Sequence, residues 1–185
     1  NINGAHNLGS NNLAISTNAN PLINAALNST GTLTIQGASA STNLSVGTTG
    51  IISETELQFI GSGWANLIFG RSDATGTLTV ANRTWANNTT FLTGTGALSI
   101  AGATMGSRDL TLVTNSNLAI TGNLSGSGRL TIRNASGLTN IGVGTGQTGT
   151  LALDNAELTR ILDGWQSVTI GSAASFGNIN IGTNT

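Results

Sequence analysis

Gly31-Thr32-Leu33-Thr34-Ile35 alternates small polar and apolar side chains, which places Leu33 and Ile35 on one face of an extended strand and Thr32 and Thr34 on the other. The same phrase, Gly or Asn followed by x-Leu-x-Ile/Val, is written repeatedly. It recurs at Leu13–Ile15, Leu44–Val46, Leu78–Val80, Leu98–Ile100, Leu110–Leu112, Leu118–Ile120, Leu130–Ile132, Leu151–Leu153, Val168–Ile170 and Ile179–Ile181. Successive copies fall roughly 8 to 12 or roughly 20 residues apart, the scale of a solenoid repeat. Each strand is short and is bounded by Gly, Asn and Ser, residues that tolerate tight corners.

Two all-β architectures fit such strands: an antiparallel sandwich and a coiling parallel β-helix. Three features favour the coil. The hairpin dipeptides Asn-Gly and Asp-Gly occur only at Asn3-Gly4 and Asp163-Gly164. Aromatic residues make up 4% of the chain, too few to anchor a typical sandwich. Similar strands also recur with similar flanks, as the stacking of like rungs requires. The expectation is a β-solenoid with roughly 20 residues per coil. That amounts to roughly nine coils, or a rod on the order of 40 Å at about 4.8 Å per strand.

A larger repeat lies above the rungs. Residues 56–70 reappear at 157–171, and Glu56/Glu157, Ile60/Ile161, Trp64/Trp165 and Gly70/Gly171 are each 101 positions apart. The match runs ungapped over some 25 residues, so we read two cassettes, 53–153 and 154–185, within one solenoid segment covering residues 1–185. Each cassette opens on a helix-start signature: Ser53 with Glu56 forms a capping box, and Asp154 with Glu157 does the same. Leu57 and Ile60, like Leu158 and Ile161, share a helical face at i, i+3. Two short helical insertions of about two turns are expected, ended by Gly61 or Gly63 and by Gly164 in left-handed conformations. Trp64 and Trp165 should then fold back over the seam. Ser53, Glu56, Leu57, Ile60, Trp64, Gly70, Asp154, Glu157, Leu158, Ile161, Trp165 and Gly171 form an architectural motif, in which the two Trp are also candidate glycan contacts.

Composition narrows the function. Charged residues are 7% of the chain, the net charge is −1, and the six cations are all Arg. Scattered Arg supply no basic patch for phosphates, so nucleic acid is not an expected partner. No apolar run approaches the roughly 20 residues of a membrane span, so no membrane insertion by this segment is expected. There is no Cys, hence neither disulfides nor thiolate metal sites. Disorder is rejected because the apolar residues occur in register. The opening Asn1-Ile2-Asn3-Gly4, without an initiator Met or leader, reads as the start of an excised segment.

Chemistry is sparse. His6 is the only histidine and lies in a Gly/Asn-rich start, a poor place for a catalytic base. Arg71 with Asp73, Arg108 with Asp109, and Asp154 with Glu157 are the acid-bearing pairs that a polysaccharide-active β-helix could use. Asp154, however, aligns with Ser53 in the other cassette, so helix capping explains it. The calcium-loading Gly-Gly-x-Gly-x-Asp repeat is absent, and Asn-rich turns such as 87–90 are better read as corners with side-chain amide ladders. Threonine pairs at Thr32/Thr34, Thr77/Thr79 and Thr93/Thr95 raise an ice-binding alternative, but Asn178 and Asn180 replace Thr77 and Thr79 in the second cassette. No cofactor, no metal and no enzymatic activity are expected.

Residues 55–80 and 156–181, with Glu-Leu-x-x-Ile, the Trp, and the following Phe69-Gly70 or Ile170-Gly171, resemble repeats of filamentous-haemagglutinin-like and cyanobacterial β-strand-repeat surface exoproteins. The resemblance implies a right-handed parallel β-helix at the bacterial cell surface or outside the cell, as part of a very long chain. It also implies a structural or adhesive role: a stiff spacer, or a surface contacting host or cell-surface glycans or proteins. Self-association through the solenoid ends into a filament or matrix is a further expectation, because open strand edges invite pairing.

Overall fold

The computed structural model describes residues 1–47, 50–174 and 177–182; the final residues expected in the second cassette, 183–185, lie outside these. Apart from two four-residue helices, α1 (Glu54–Leu57) and α2 (Asn155–Leu158), the named elements are strands. Every strand pairing among the described residues is parallel. The chain is therefore all-β with parallel sheets, and all eleven Leu-x-Ile-type phrases lie in strands.

One sheet stacks seven strands: β2 (Leu13–Ser16), β4 (Thr32–Gln36), β6 (Asn66–Gly70), β9 (Thr89–Leu92), β12 (Leu110–Val113), β15 (Arg129–Arg133) and β18 (Ser167–Ile170). A second face stacks β5 (Leu44–Val46), β7 (Leu78–Val80), β10 (Leu98–Ile100) and β13 (Leu118–Ile120). Next to β13 lies β17 (Leu151–Leu153), which pairs with β16 (Ile141–Val143) and through it with β19 (Ile179–Ile181). Two-residue strands form the remaining sheets: β1 (His6–Asn7) with β3 (Leu27–Asn28), and β8 (Arg83–Thr84) with β11 (Ala103–Thr104) and β14 (Leu124–Ser125). From β7 to β15 the chain visits the second face, the short strands and the long sheet in strict rotation. Each circuit takes roughly 20 residues and returns Leu78, Leu98 and Leu118 to the same column.

Circuits that carry a helix are longer: 34 residues separate Asn43 from Thr77 and 38 separate Asn140 from Asn178. The long sheet accordingly holds seven strands, fewer than the roughly nine that an even spacing implies. Part of the extra length is a backward step. After β5 the chain turns so that Ile52 bridges Val46 in parallel, and after β16 it turns so that β17 pairs with β16.

Inward side chains form columns. Leu33, Leu67, Leu110 and Leu130 line one, and Ile35, Phe69, Phe91, Leu112 and Ile132 another, all buried. Each contributes about 1.5–3 kcal/mol relative to exposure. Thr89 stands in the leucine column, its hydroxyl satisfied by the Asn87 carbonyl at 3.0 Å.

An amide-to-amide contact between rungs of the kind expected joins Asn24 Nδ2 to Asn3 Oδ1 at 3.2 Å, but other corners are held differently. Asn side chains reach instead to backbone of the next rung: Asn12 Oδ1 accepts from the Thr32 amide (2.8 Å), Asn43 from Thr77 (2.9 Å), Asn88 from Asp109 (3.0 Å) and Asn140 from Asn178 (2.9 Å). Asp109 does the same for Arg129 at 2.8 Å. A fixed amide or carboxylate oxygen thus satisfies an N–H that opens a strand, where the backbone has left its ladder.

Both helices are one turn long, not two. Phe59 and Ile60 donate three residues back, to Glu56 and Leu57, and Ile60 then bridges Leu27 as a strand residue; Ile161 bridges Leu124 in the same way. The helix is drawn off into the sheet stack. Its ends are right-handed residues, Gln58 and Thr159, so glycine does not stop either helix by a left-handed turn. Gly61 lies close under β3: a Cβ there would sit 2.0 Å from Asn28 Oδ1, and the Asn28 side chain would have to swing aside.

Candidate functional site

The repeated helix-and-Trp motif is the one constellation that the sequence singles out, and each copy is built on a completed capping box. In the first, Glu56 accepts the Ser53 amide at 2.9 Å and also the Ser53 hydroxyl. In the second, the Asp154 amide donates to Glu157 at 3.0 Å, and the Glu157 amide donates to Asp154 at 2.8 Å.

The two glutamates sit in different electrostatic settings. Burial pushes the Glu56 carboxyl up, but hydrogen bonds from the Ser53 hydroxyl and amide, the Asn20 side chain and its own amide together outweigh it, and the group lies below its ordinary value. For Glu157 burial prevails, the Asp154 carboxylate adds to it, and the pKa is raised despite the amides of Asp154 and Ile120 and the charge of Arg160.

Trp64 is 3% exposed and donates its indole N–H to the Leu27 carbonyl at 3.1 Å. With both ring faces covered it offers nothing to a sugar. Trp165 is half-buried and packs on the core, its ring close over Gly126, where an added Cβ would lie 2.9 Å away. Leu57 is buried, while Leu158 is half-buried. Gly70 and Gly171 both hold positive φ, +100° and +99°.

Sequence reasoning passed over the third tryptophan. Trp85 is buried, 5.5 Å from Phe69 and 5.3 Å from Phe91, and those two phenyl rings stack at 5.7 Å as register partners. The Arg83 guanidinium lies 4.9 Å from the Trp85 ring and pairs with Glu54 at 3.1 Å. A recess of about 50 Å³ opens here between Leu57, Ile60, Arg83, Trp85 and Asn87. The signal available in the sequence was Trp85 itself, the one Trp outside the repeat, within a circuit of Phe69.

The acid-bearing pairs serve local structure, Asp154 and Glu157 in the capping box already described. Arg71 holds Asp73 at 2.8 Å and reaches the Gly37 carbonyl at 3.1 Å, whereas Asp109 serves a backbone corner. His6 is exposed on β1. No group of three or more His, Cys, Asp or Glu among the described residues is arranged to hold a metal. The paired threonines do not make one array, because Thr93 is buried. A different file exists on the outward face of the long sheet, with Thr34, Thr90, Thr111, Thr131 and Thr169 in one register column interrupted by Ile68. No helix among the described residues is long and apolar enough to cross a membrane.

No family model, curated protein or solved structure matches the chain.

Proposed function

We propose that the chain winds as a right-handed parallel β-helix and serves as a stiff structural or adhesive segment of a large exported bacterial surface protein. The observation that carries this reading is the seven-stranded parallel sheet, which runs unbroken from β2 to β18 and is locked at its corners by Asn and Asp clamps. A backbone ladder of that kind resists extension and bending without needing charge or disulfides. Glu56, Asp154 and Glu157 cap helices, Asp109 holds a corner, and Arg71, Arg133 and Arg160 reach carbonyls, which suits a spacer better than a polysaccharide-active cleft. Adhesion, where it occurs, would use the exposed Thr, Ser and Asn faces, with glycans or proteins of a host or cell surface as partners.

Because the chain has no Cys, two spin labels report on stiffness directly. With labels at Ala14→Cys and Thr169→Cys, six strand spacings predict about 29 Å between backbones, with a narrow distribution. A broad distribution, or a separation unrelated to six spacings, contradicts a rigid spacer.

A further inference from the structure

The three faces are not equally continuous. The long sheet passes both helix-bearing circuits without a break, but the ladder on the second face ends at β13, and β17 lies beside it without a strand pairing among the described residues. On the short-strand side, Leu27 bridges Ile60, and among the described residues no pairing then links Ile60 to β8. Both interruptions fall where a helix is inserted, because the helix and the backward step take chain that a plain circuit would have spent in the ladder.

Side chains fill the places of the missing strands. In the plain circuits the Ile100 carbonyl accepts the Thr121 amide of the next strand at 2.9 Å. Its register partner Ile120 has no such strand. Instead, the Ile120 amide donates to Glu157 Oε1 at 3.1 Å and the Ile120 carbonyl accepts from the Arg160 guanidinium. Glu157 of α2 and Arg160, two residues past its end, thus grip both polar groups of one residue. At the first interruption the Asn87 amide reaches the Gly61 carbonyl at 3.1 Å, and Arg83 pairs with Glu54 across the gap.

We infer that the helix-bearing circuits are joints: the interrupted faces open there while the uninterrupted sheet keeps its length, and the Glu157–Arg160 pincer is the latch of the second joint. The physical reason is that a backbone ladder opens only with its neighbours, whereas half-buried side-chain contacts open one at a time. The inference stands on the pairings alone; for a spacer it means rigid blocks about 100 residues long, set by the 101-position repeat.

Native-state amide exchange on the whole chain tests it. The Ile120 amide should exchange about 100-fold faster than the Ile100 amide, through a local opening insensitive to low denaturant. Glu157→Ala should speed Ile120 a further roughly tenfold while leaving Ile100 within about twofold, and Glu157→Gln, which keeps an acceptor, should restore the protection. Should Ile120 and Ile100 exchange together in the wild-type chain, with the same denaturant dependence, the joint does not exist. That outcome leaves the parallel spacer untouched, so the two ideas fail separately.

Discussion

Trp64 and Trp165 occupy equivalent positions of the repeat, yet one is sealed and the other half-covered. Trp64→Ala should cost about 3–5 kcal/mol in chemical denaturation, the usual loss for a fully buried aromatic. Trp165→Ala should cost about half that, since part of its ring is already wet. Equal losses would mean that the second ring is as enclosed as the first. The glutamates diverge in the same way. Glu56 has a depressed pKa, so its contribution is present above its ordinary value of 4.5 and is lost as pH falls through the folded value. Glu157 has a raised pKa, so its contribution is full below 4.5 and is lost as pH rises through the folded value. Gln can still serve a capping box. At pH 7, then, Glu56→Gln should lower stability by about 1–2 kcal/mol, and Glu157→Gln should leave it unchanged or higher. Both differences should shrink toward pH 4. Thermal melts at the two pH values check this, and the opposite ordering at pH 7 would refute the assignment.

At the scale of elements, the short strands depend on glycines placed where backbone crosses backbone. Gly70 ends β6 at φ +100°, and a Cβ there would meet the Leu92 carbonyl oxygen at 2.0 Å. Gly171 has nearly the same φ, but its Cβ would meet only the tip of the Ile179 side chain at 2.7 Å. Both substitutions to Ala should destabilise, by about 1–3 kcal/mol for the dihedral alone. Gly70→Ala should lose more, because a carbonyl in a ladder cannot swing aside as a methyl can. A smaller loss at Gly70 than at Gly171, in matched denaturant titrations, would show that the sheet gives way there. The helices were legible from Ser53/Glu56 and Asp154/Glu157 because a capping box is a local code. Their length was not, since Ile60 and Ile161 are claimed by long-range bridges to Leu27 and Leu124. The two-residue strands such as β8 and β11 were equally invisible, being too short to show any period.

Across the whole molecule, the repeated Leu-x-Ile phrases gave the strands, and the scarcity of hairpin dipeptides and aromatics, with the likeness of the flanks, pointed to parallel stacking. The number of circuits was misjudged because insertions lengthen two of them, and the aromatic cluster of Phe69, Trp85 and Phe91 was missed because it assembles across rungs. Phe69 and Phe91 meet only through the pairing of β6 with β9, which no local pattern encodes. The direction of neighbouring strands is the premise under all of this, and cross-strand proton contacts in a solution NMR spectrum measure it. The account predicts a parallel pattern of amide-to-α-proton contacts joining Leu78 to Leu98 and Leu98 to Leu118, at intervals of roughly 20 residues. Antiparallel contacts between strands adjacent in the chain, such as β12 with β13, would contradict it.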